Sequence, residues 1–166
     1  MSGISLQFDI DDDTLRQVLE GLATRAGDLT PAMKTIGENL VRVTQARFDA
    51  QERPDGVDWE KNQPEYWATK RIKKILTEDS GLRDSIVYRE SPDGVTVGTH
   101  KIYAAIHQFG GTILPVKGKY LRFKIGDQAV YAKQVTIPAR PFLGITPDGQ
   151  EEVVATIKDF LLGDTA

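Results

Sequence analysis

The sequence predicts an α+β fold, an antiparallel β-sheet built from hairpins and packed against a few long helices. Three observations lead there. Apolar residues recur at helical spacing early in the chain and again near its C-terminus. Two stretches of strand-forming residues flank the turn sequences Ser91-Pro92-Asp93-Gly94 and Gly126-Asp127-Gln128. The order runs strand, helices, hairpin, helix, hairpin, helix, so helices are kept apart from hairpins.

The elements follow in turn. Ile4, Leu6, Phe8 and Ile10 alternate with Ser5, Gln7 and Asp9, the period of a half-buried strand. Asp11, Asp12 and Asp13 then favour a helix start, since carboxylates complement free N–H groups. Leu15, Val18, Leu19 and Leu22 form that helix's apolar stripe, and Gly27 ends it. Thr30-Pro31 opens the next helix, with Thr30 as N-cap. Its stripe is Met33, Ile36, Leu40, Val43 and Phe48, with Gly37 inside it. Residues 51–63 read as a polar loop turning at Pro54-Asp55-Gly56, with Trp59 pinning it to the core. Pro64 to Leu76 reads as a helix, and Ser80-Gly81-Leu82 breaks the pattern ahead of a short helical turn over Leu82 to Ser85.

Ile86–Arg89 and Val95–Val97 form the first hairpin. Thr99 is placed to cap a helix whose apolar face is Ile102, Ala105, Ile106 and Phe109, ending at Gly110-Gly111 in a left-handed C-cap. Ile113–Ile125 and Ala129–Ile137 form the second hairpin, a basic one at 113–137 expected to protrude. Pro138-Ala139-Arg140-Pro141 excludes regular helix and central strand. Thr146-Pro147-Asp148 starts the last helix, with Val153, Val154, Ile157 and Leu161 as its stripe and Gly163 at its end.

Length and composition set the limits. A chain of 166 residues fits one domain spanning 1–166, able to bury roughly 70% of its unfolded surface without a metal or disulfide. Hydrophobic residues are 40% and charged residues 27%, which argues against whole-chain disorder. With no cysteine, disulfides, thiolate metal sites and cysteine nucleophiles are excluded. No secretory signal is visible at Met1–Ile10, and no window approaches the ~18 apolar residues of a membrane span.

Motifs for chemistry are weak. Asp9-x-Asp11-x-Asp13 with Glu20 at the twelfth place resembles a calcium loop, but Thr14 stands where glycine is needed and no helix precedes it. His100 and His107 are seven apart, whereas a metal pair on one helix sits at a spacing of four; His107 suits a capping or core role instead. There is no phosphate loop, nucleophile elbow or H-E-x-x-H. Lys70, Arg71, Lys73 and Lys74 read as a solvated helix face. No enzymatic activity, cofactor or metal is expected.

Several pieces line up in order: Phe48, Gln51, Pro54, Gly56 and Trp59; Thr69-Lys70; Ser80 to Ile86; Val97-Gly98-Thr99; Tyr103-Ala104; His107-Gln108-Phe109-Gly110; and Ile137-Pro138-Ala139-Arg140-Pro141-Phe142-Leu143-Gly144. Over roughly residues 30–162 the chain resembles the phage virion morphogenesis (tail completion) family, of the Mu-like phage G protein type. The resemblance implies a non-enzymatic protein of late virion assembly, acting in tail completion and stable head–tail joining at the neck. Its place would be the virion, with the host cytoplasm during assembly. Its partners would be other neck or tail proteins and further copies of itself in a ring, with no small-molecule substrate and at most incidental DNA contact. Within the motif, Gly110 is expected to supply positive φ, Pro138 and Pro141 to hold an extended segment, Arg140 to pair with a carboxylate, and Phe142 and Leu143 to plug the core.

Charge is unevenly placed: −6 over residues 1–60, +1 over 61–99, +6 over 100–145 and −4 over 146–166. Acidic and basic parts meet either within one domain or across a subunit boundary. Lys117, Lys119, Arg122, Lys124 and Lys133 on the second hairpin are the candidate partner contacts. The alternative is a small nucleic-acid-binding module using the basic 100–145 segment, which predicts steeply salt-dependent binding.

Overall fold

The computed structural model describes residues 12–77 and 81–163. The expected strand Ile4–Ile10, Asp9 and Asp11 of the calcium-like loop, and Ser80 lie outside them. The class is α+β: α1 (Asp12–Gly27), α2 (Thr30–Ala50) and α3 (Pro64–Thr69) come first, then a 3-10 turn (Arg83–Ser85). β1 (Ile86–Ser91), β2 (Gly94–Thr99) and α4 (Ala104–Phe109) follow. The chain continues through β3 (Gly111–Ile113), β4 (Leu121–Ile125), β5 (Gln128–Ala132) and β6 (Val135–Ile137) to α5 (Pro147–Leu162).

The described strands form three antiparallel pairs rather than one continuous sheet: β1–β2, β3–β6 and β4–β5. The second hairpin is therefore built in two stages. β3 pairs with β6 from Gly111↔Ile137 to Ile113↔Val135, and β4 pairs with β5 from Leu121↔Ala132 to Ile125↔Gln128. Gln128 lies in β5 rather than in the turn. Gly126, at φ 58, turns the chain with Asp127 in a two-residue loop, a position where glycine carries no Cβ penalty.

Helix α2 is the scaffold. One side packs on β1 and β2 and another on α5. Met33, Ile36 and Phe48 are buried, as the stripe predicts, whereas Leu40 and Val43 are half-buried; Thr44 and Arg47 join the buried face. Gly37 is where α2 meets β1 and β2. A Cβ there would lie 2.7 Å from Cγ of Tyr88 and 3.0 Å from Val95 Cγ2, so the glycine sets how closely helix and hairpin approach. The main core gathers Phe48, Trp59, Ile75, Leu82, Ile86 and Phe142.

Four local expectations are corrected. Leu29, not Thr30, is the N-cap of α2; the Asp28 carboxylate accepts the Thr30 N–H at 2.9 Å, and bonds from Thr30 hold that carboxyl below its usual range. The helix from Pro64 stops at Thr69. Lys70 is extended at ψ 130, Lys73 donates to the carbonyls of Trp67 and Ala68, and Leu76 takes φ 55, so Ile75 reaches the core off-helix. Lys70 is itself buried, over the Tyr66 ring, not on a solvated face.

The fourth concerns α4, which starts at Ala104 with Tyr103 as N-cap, while Thr99 Oγ1 accepts the Lys101 N–H in the turn before it. This shifts the helical face. Ala104 is buried, but Ile102 is 97% exposed and Phe109 77% exposed, and Ala105 also faces out. The inward position goes to the half-buried Gln108, whose amide satisfies part-buried backbone groups of a neighbouring segment; leaving such groups unpaired costs about 1–3 kcal/mol each. At Gly110, φ is 70 with ψ near 180, a glycine-only extended geometry rather than a left-handed cap.

Helix α1 leaves much of its apolar stripe uncovered, with Val18 and Leu19 each 55% exposed and Leu22 half-buried. Thr146 caps α5 as expected, accepting the Gly149 N–H at 3.0 Å.

Two glycine substitutions in helices are expected to diverge. Gly37→Ala gains helix propensity but meets the Tyr88 ring, for a net loss of about 1–2 kcal/mol. Gly21→Ala meets nothing within 4 Å and is expected to gain about 0.5–1 kcal/mol. Urea unfolding midpoints of the two variants check both signs.

Candidate functional site

The residues of the Ile137–Gly144 motif converge on one structure, a main-chain crossing anchored by the buried Arg140 and Phe142. Pro138 and Pro141 deny this stretch a regular ladder, so its polar groups need side-chain partners. Those partners come from distant elements. Arg47, near the end of α2, sends Nη1 to the carbonyls of Phe142 at 2.9 Å and Gly144 at 2.8 Å. Trp59 Nε1 donates to the Pro141 carbonyl at 2.9 Å. Gln108 of α4 accepts the N–H groups of Phe142 and Leu143 at Oε1, each at 3.0 Å, and donates from Nε2 to the Leu143 carbonyl at 2.9 Å.

Arg140 works in both directions. Its N–H donates to the His107 carbonyl at 2.7 Å and its Nε to the Glu60 carbonyl at 2.8 Å. The expected carboxylate pair is thus replaced by a main-chain acceptor, which ties the 51–63 loop to the crossing. Phe142 is completely buried, 5.2 Å from the Phe48 ring, and Phe48 meets Trp59 edge-on at 5.3 Å. Leu143 packs half-buried against the same core.

Gln51 is a second junction. It caps α2 at φ 63, its carbonyl accepts the Trp59 N–H at 2.8 Å, and its side-chain oxygen accepts the Ile75 N–H at 2.7 Å. The loop between turns through Gly56 at φ 77, whose N–H donates to the Arg53 carbonyl. Gly110 approaches the crossing closely: a Cβ there would lie 2.8 Å from the Ala139 nitrogen.

Burial pulls Arg47 and Arg140 below the ordinary arginine value, with Glu52 and Glu60 respectively opposing it. Burial also lowers His107, and the Arg140 charge lowers it further. His107 Nδ1 is buried without a hydrogen-bond partner, and the ring meets that of Tyr103 edge-on at 6.1 Å. These polar groups are spent on backbone or apolar neighbours. Among the described residues no group of three His, Asp or Glu side chains is placed to hold a metal ion.

The motif residues Trp59, His107, Gln108, Pro138, Arg140, Pro141, Phe142 and Leu143 thus meet at or beside the crossing. Tyr103 and Phe109 lie at its margin and are exposed. The basic candidates sit apart from it. Lys117, Lys119, Arg122, Lys124 and Lys133 are all exposed on the second hairpin and the loop before it. Arg122 lies over Tyr131 at 5.8 Å, its cross-strand partner. Arg47 is the residue that sequence reasoning passed over. A lone arginine at an apolar-stripe position, one before Phe48, was the available signal.

Two outcomes are expected at the crossing. Gln108→Leu strands the N–H groups of Phe142 and Leu143 and is expected to cost about 2–5 kcal/mol in urea unfolding. His107 is depressed in the folded state, so the folded chain binds fewer protons there than the unfolded chain. Its contribution to stability is complete above the ordinary histidine value of about 6.5 and is lost as pH falls below it. His107→Gln is therefore expected to lose less stability than the parent between pH 7.5 and 5.5, read from urea midpoints at the two pH values.

Comparison with known proteins points one way. The model of the phage virion morphogenesis family matches residues 10–161. The chain is 28% identical over 148 residues to Mu-like prophage FluMu G protein 2 of Haemophilus influenzae, covering 88% of each. It is 27% identical over 161 residues to the putative capsid assembly protein G of Escherichia phage Mu, covering 93% of each. No solved structure matches.

Proposed function

The chain belongs to the phage virion morphogenesis family, and from that premise we propose that it is a non-enzymatic structural protein that completes the tail and joins it stably to the head at the neck. The observation that carries this reading is how the molecule divides its polar and apolar groups. The polar side chains gathered at the crossing are committed to main-chain atoms: Arg47 and Gln108 to the crossing itself, and Arg140 to the Glu60 carbonyl of the 51–63 loop. Groups so engaged lock a conformation and are not available to a substrate.

Large apolar side chains, by contrast, face outward around α4 and the second hairpin: Ile102, Phe109, Leu114 and Val116 are 60–97% exposed. Large apolar side chains left this exposed suit contact with another protein. In the proposed role the partners are neck or tail proteins and further copies of this chain, arranged as a ring in the virion. The name of the phage Mu relative, capsid assembly protein, supports the assembly part of this reading.

A second reading has one observation in its favour: the exposed basic hairpin, with Arg122 stacked over Tyr131, has the cation-and-aromatic character of a nucleic-acid contact. Electron microscopy of a lysate from phage lacking this gene separates the two. Separate filled heads and tails, or tails with abnormal ends, are expected. Intact virions would reject the joining role and direct attention to salt-dependent DNA binding by the hairpin.

A further inference from the structure

The β4–β5 hairpin has two unlike faces. In an antiparallel pair, residues opposite each other share a face, and successive pairs alternate between the two faces. Phe123↔Val130 and Leu121↔Ala132 are half-buried, and β4 packs on α3. Arg122↔Tyr131 and Lys124↔Ala129 are exposed. One further step of the alternation reaches Tyr120 before β4 and Lys133 after β5, both exposed as well. The solvent face therefore carries three cations, two tyrosines, Ala129 and no acid. Lys117 and Lys119 are exposed on the loop leading into it, and Asp127, the single acid of residues 111–137, sits in the turn at the tip.

Among the described residues no carboxylate pairs with any of these five cations. Arg53, Lys74 and Arg83, on other parts of the molecule, each hold an aspartate. The chain as a whole carries a net charge of −3, so this face reverses the bulk charge locally.

What the face fits follows from what it lacks. The centre of a protein–protein interface is apolar and depleted of lysine. Here the one aliphatic side chain is Ala129, while the exposed Leu114 and Val116 lie on the leading loop. Phosphate surfaces, by contrast, are met by lysine, arginine and tyrosine donors. Single strands are held by bases stacked on open aromatic rings. The Arg122 guanidinium lies over the Tyr131 ring at 5.8 Å, so this ring is already engaged by its own cation. A duplex needs no stacking platform and offers one phosphate charge per ~1.7 Å of its axis.

We propose that the solvent face of β4–β5 is a sequence-independent contact for the phosphate backbone of double-stranded DNA. Arg122, Lys124 and Lys133 hold phosphates, Lys117 and Lys119 extend the contact along the leading loop, and the Tyr120 and Tyr131 hydroxyls donate to phosphate oxygens. This rests on the second reading above and adds to it the form of the nucleic acid and the groups that hold it; the family resemblance implies no more than incidental DNA contact. Each phosphate neutralised releases counterions, so affinity falls by nearly one power of the salt concentration per contact.

The test is equilibrium binding of the purified full chain to a fluorescent random-sequence duplex of about 30 base pairs, between roughly 50 and 200 mM salt. A micromolar dissociation constant is expected at the low end, weakening roughly a hundredfold across the range, as about three to four phosphate contacts require. R122Q/K124Q/K133Q is expected to bind at least about tenfold more weakly at low salt and to lose most of the salt dependence. K34Q/K61Q/K158Q removes the same charge from other exposed positions and is expected to change affinity less than about threefold. All six side chains are exposed, and urea midpoints check that both variants are folded.

Equal weakening by the two triple variants would assign the effect to net charge and overturn the proposal. Tighter binding of a single strand of the same length would overturn it too, leaving a nucleic-acid contact of the stacking kind. Tighter binding of polyglutamate would make the face a site for an acidic protein and overturn it likewise. No binding of either nucleic acid at the lowest salt would remove this proposal and the second reading together, and would leave the joining role untouched. Intact virions from the phage lacking this gene, with DNA binding that depends on Arg122, Lys124 and Lys133, would do the reverse.

Discussion

The structure depends on one constraint: residues 140–144 cross the core without regular secondary structure, so their main-chain polar groups must be satisfied by side chains. A buried unpaired amide or carbonyl costs about as much as a lost hydrogen bond, and this stretch presents several in succession. Arg47, Trp59 and Gln108 answer them from three separate elements. Arg140 then fastens the crossing to α4 and to the 51–63 loop. Because the partners are far apart in sequence, the bonds join α2, the loop, α4 and the run into α5 into one body. The Phe48–Phe142 contact fills the space these bonds enclose.

The same arrangement explains why the apolar pattern of α4 is broken. A helix of six residues has few inward positions, and Gln108 takes one of them. Phe109 is turned outward as a result. What looks like a packing defect in a lone molecule is consistent with a protein whose proposed work is contact with others. The uncovered stripe of α1 fits the same view, since Val18 and Leu19 are each more than half exposed.

Much of this was legible in the sequence. The 3.6-residue spacing predicts α2 and α5, the Thr146-Pro147 cap marks the start of α5, and strand-forming stretches flanking Ser91-Pro92-Asp93-Gly94 predict β1–β2. Prolines flanking Arg140 excluded regular structure there. The failures share a cause. Pro64–Leu76 has helix-compatible residues throughout, but Ile75 reaches the core only if the chain leaves the helix at Lys70. Arg140 was assigned a carboxylate because arginine commonly takes one; the nearer acceptor, the Glu60 carbonyl, lies 80 residues away in sequence and carries no local signal.

The sequence by itself determined the α+β class, the family, the placement of the longer helices and the segregation of charge between an acidic start and a basic later segment. These are properties of spacing and composition, and they survive without knowledge of contacts. The tertiary structure alone decided which polar side chains hold the crossing, where α3 and α4 stop and start, and which apolar residues remain outside. Those outcomes turn on long-range hydrogen bonds and on the limited room around Phe142, where one residue's burial is settled by what its neighbours already occupy.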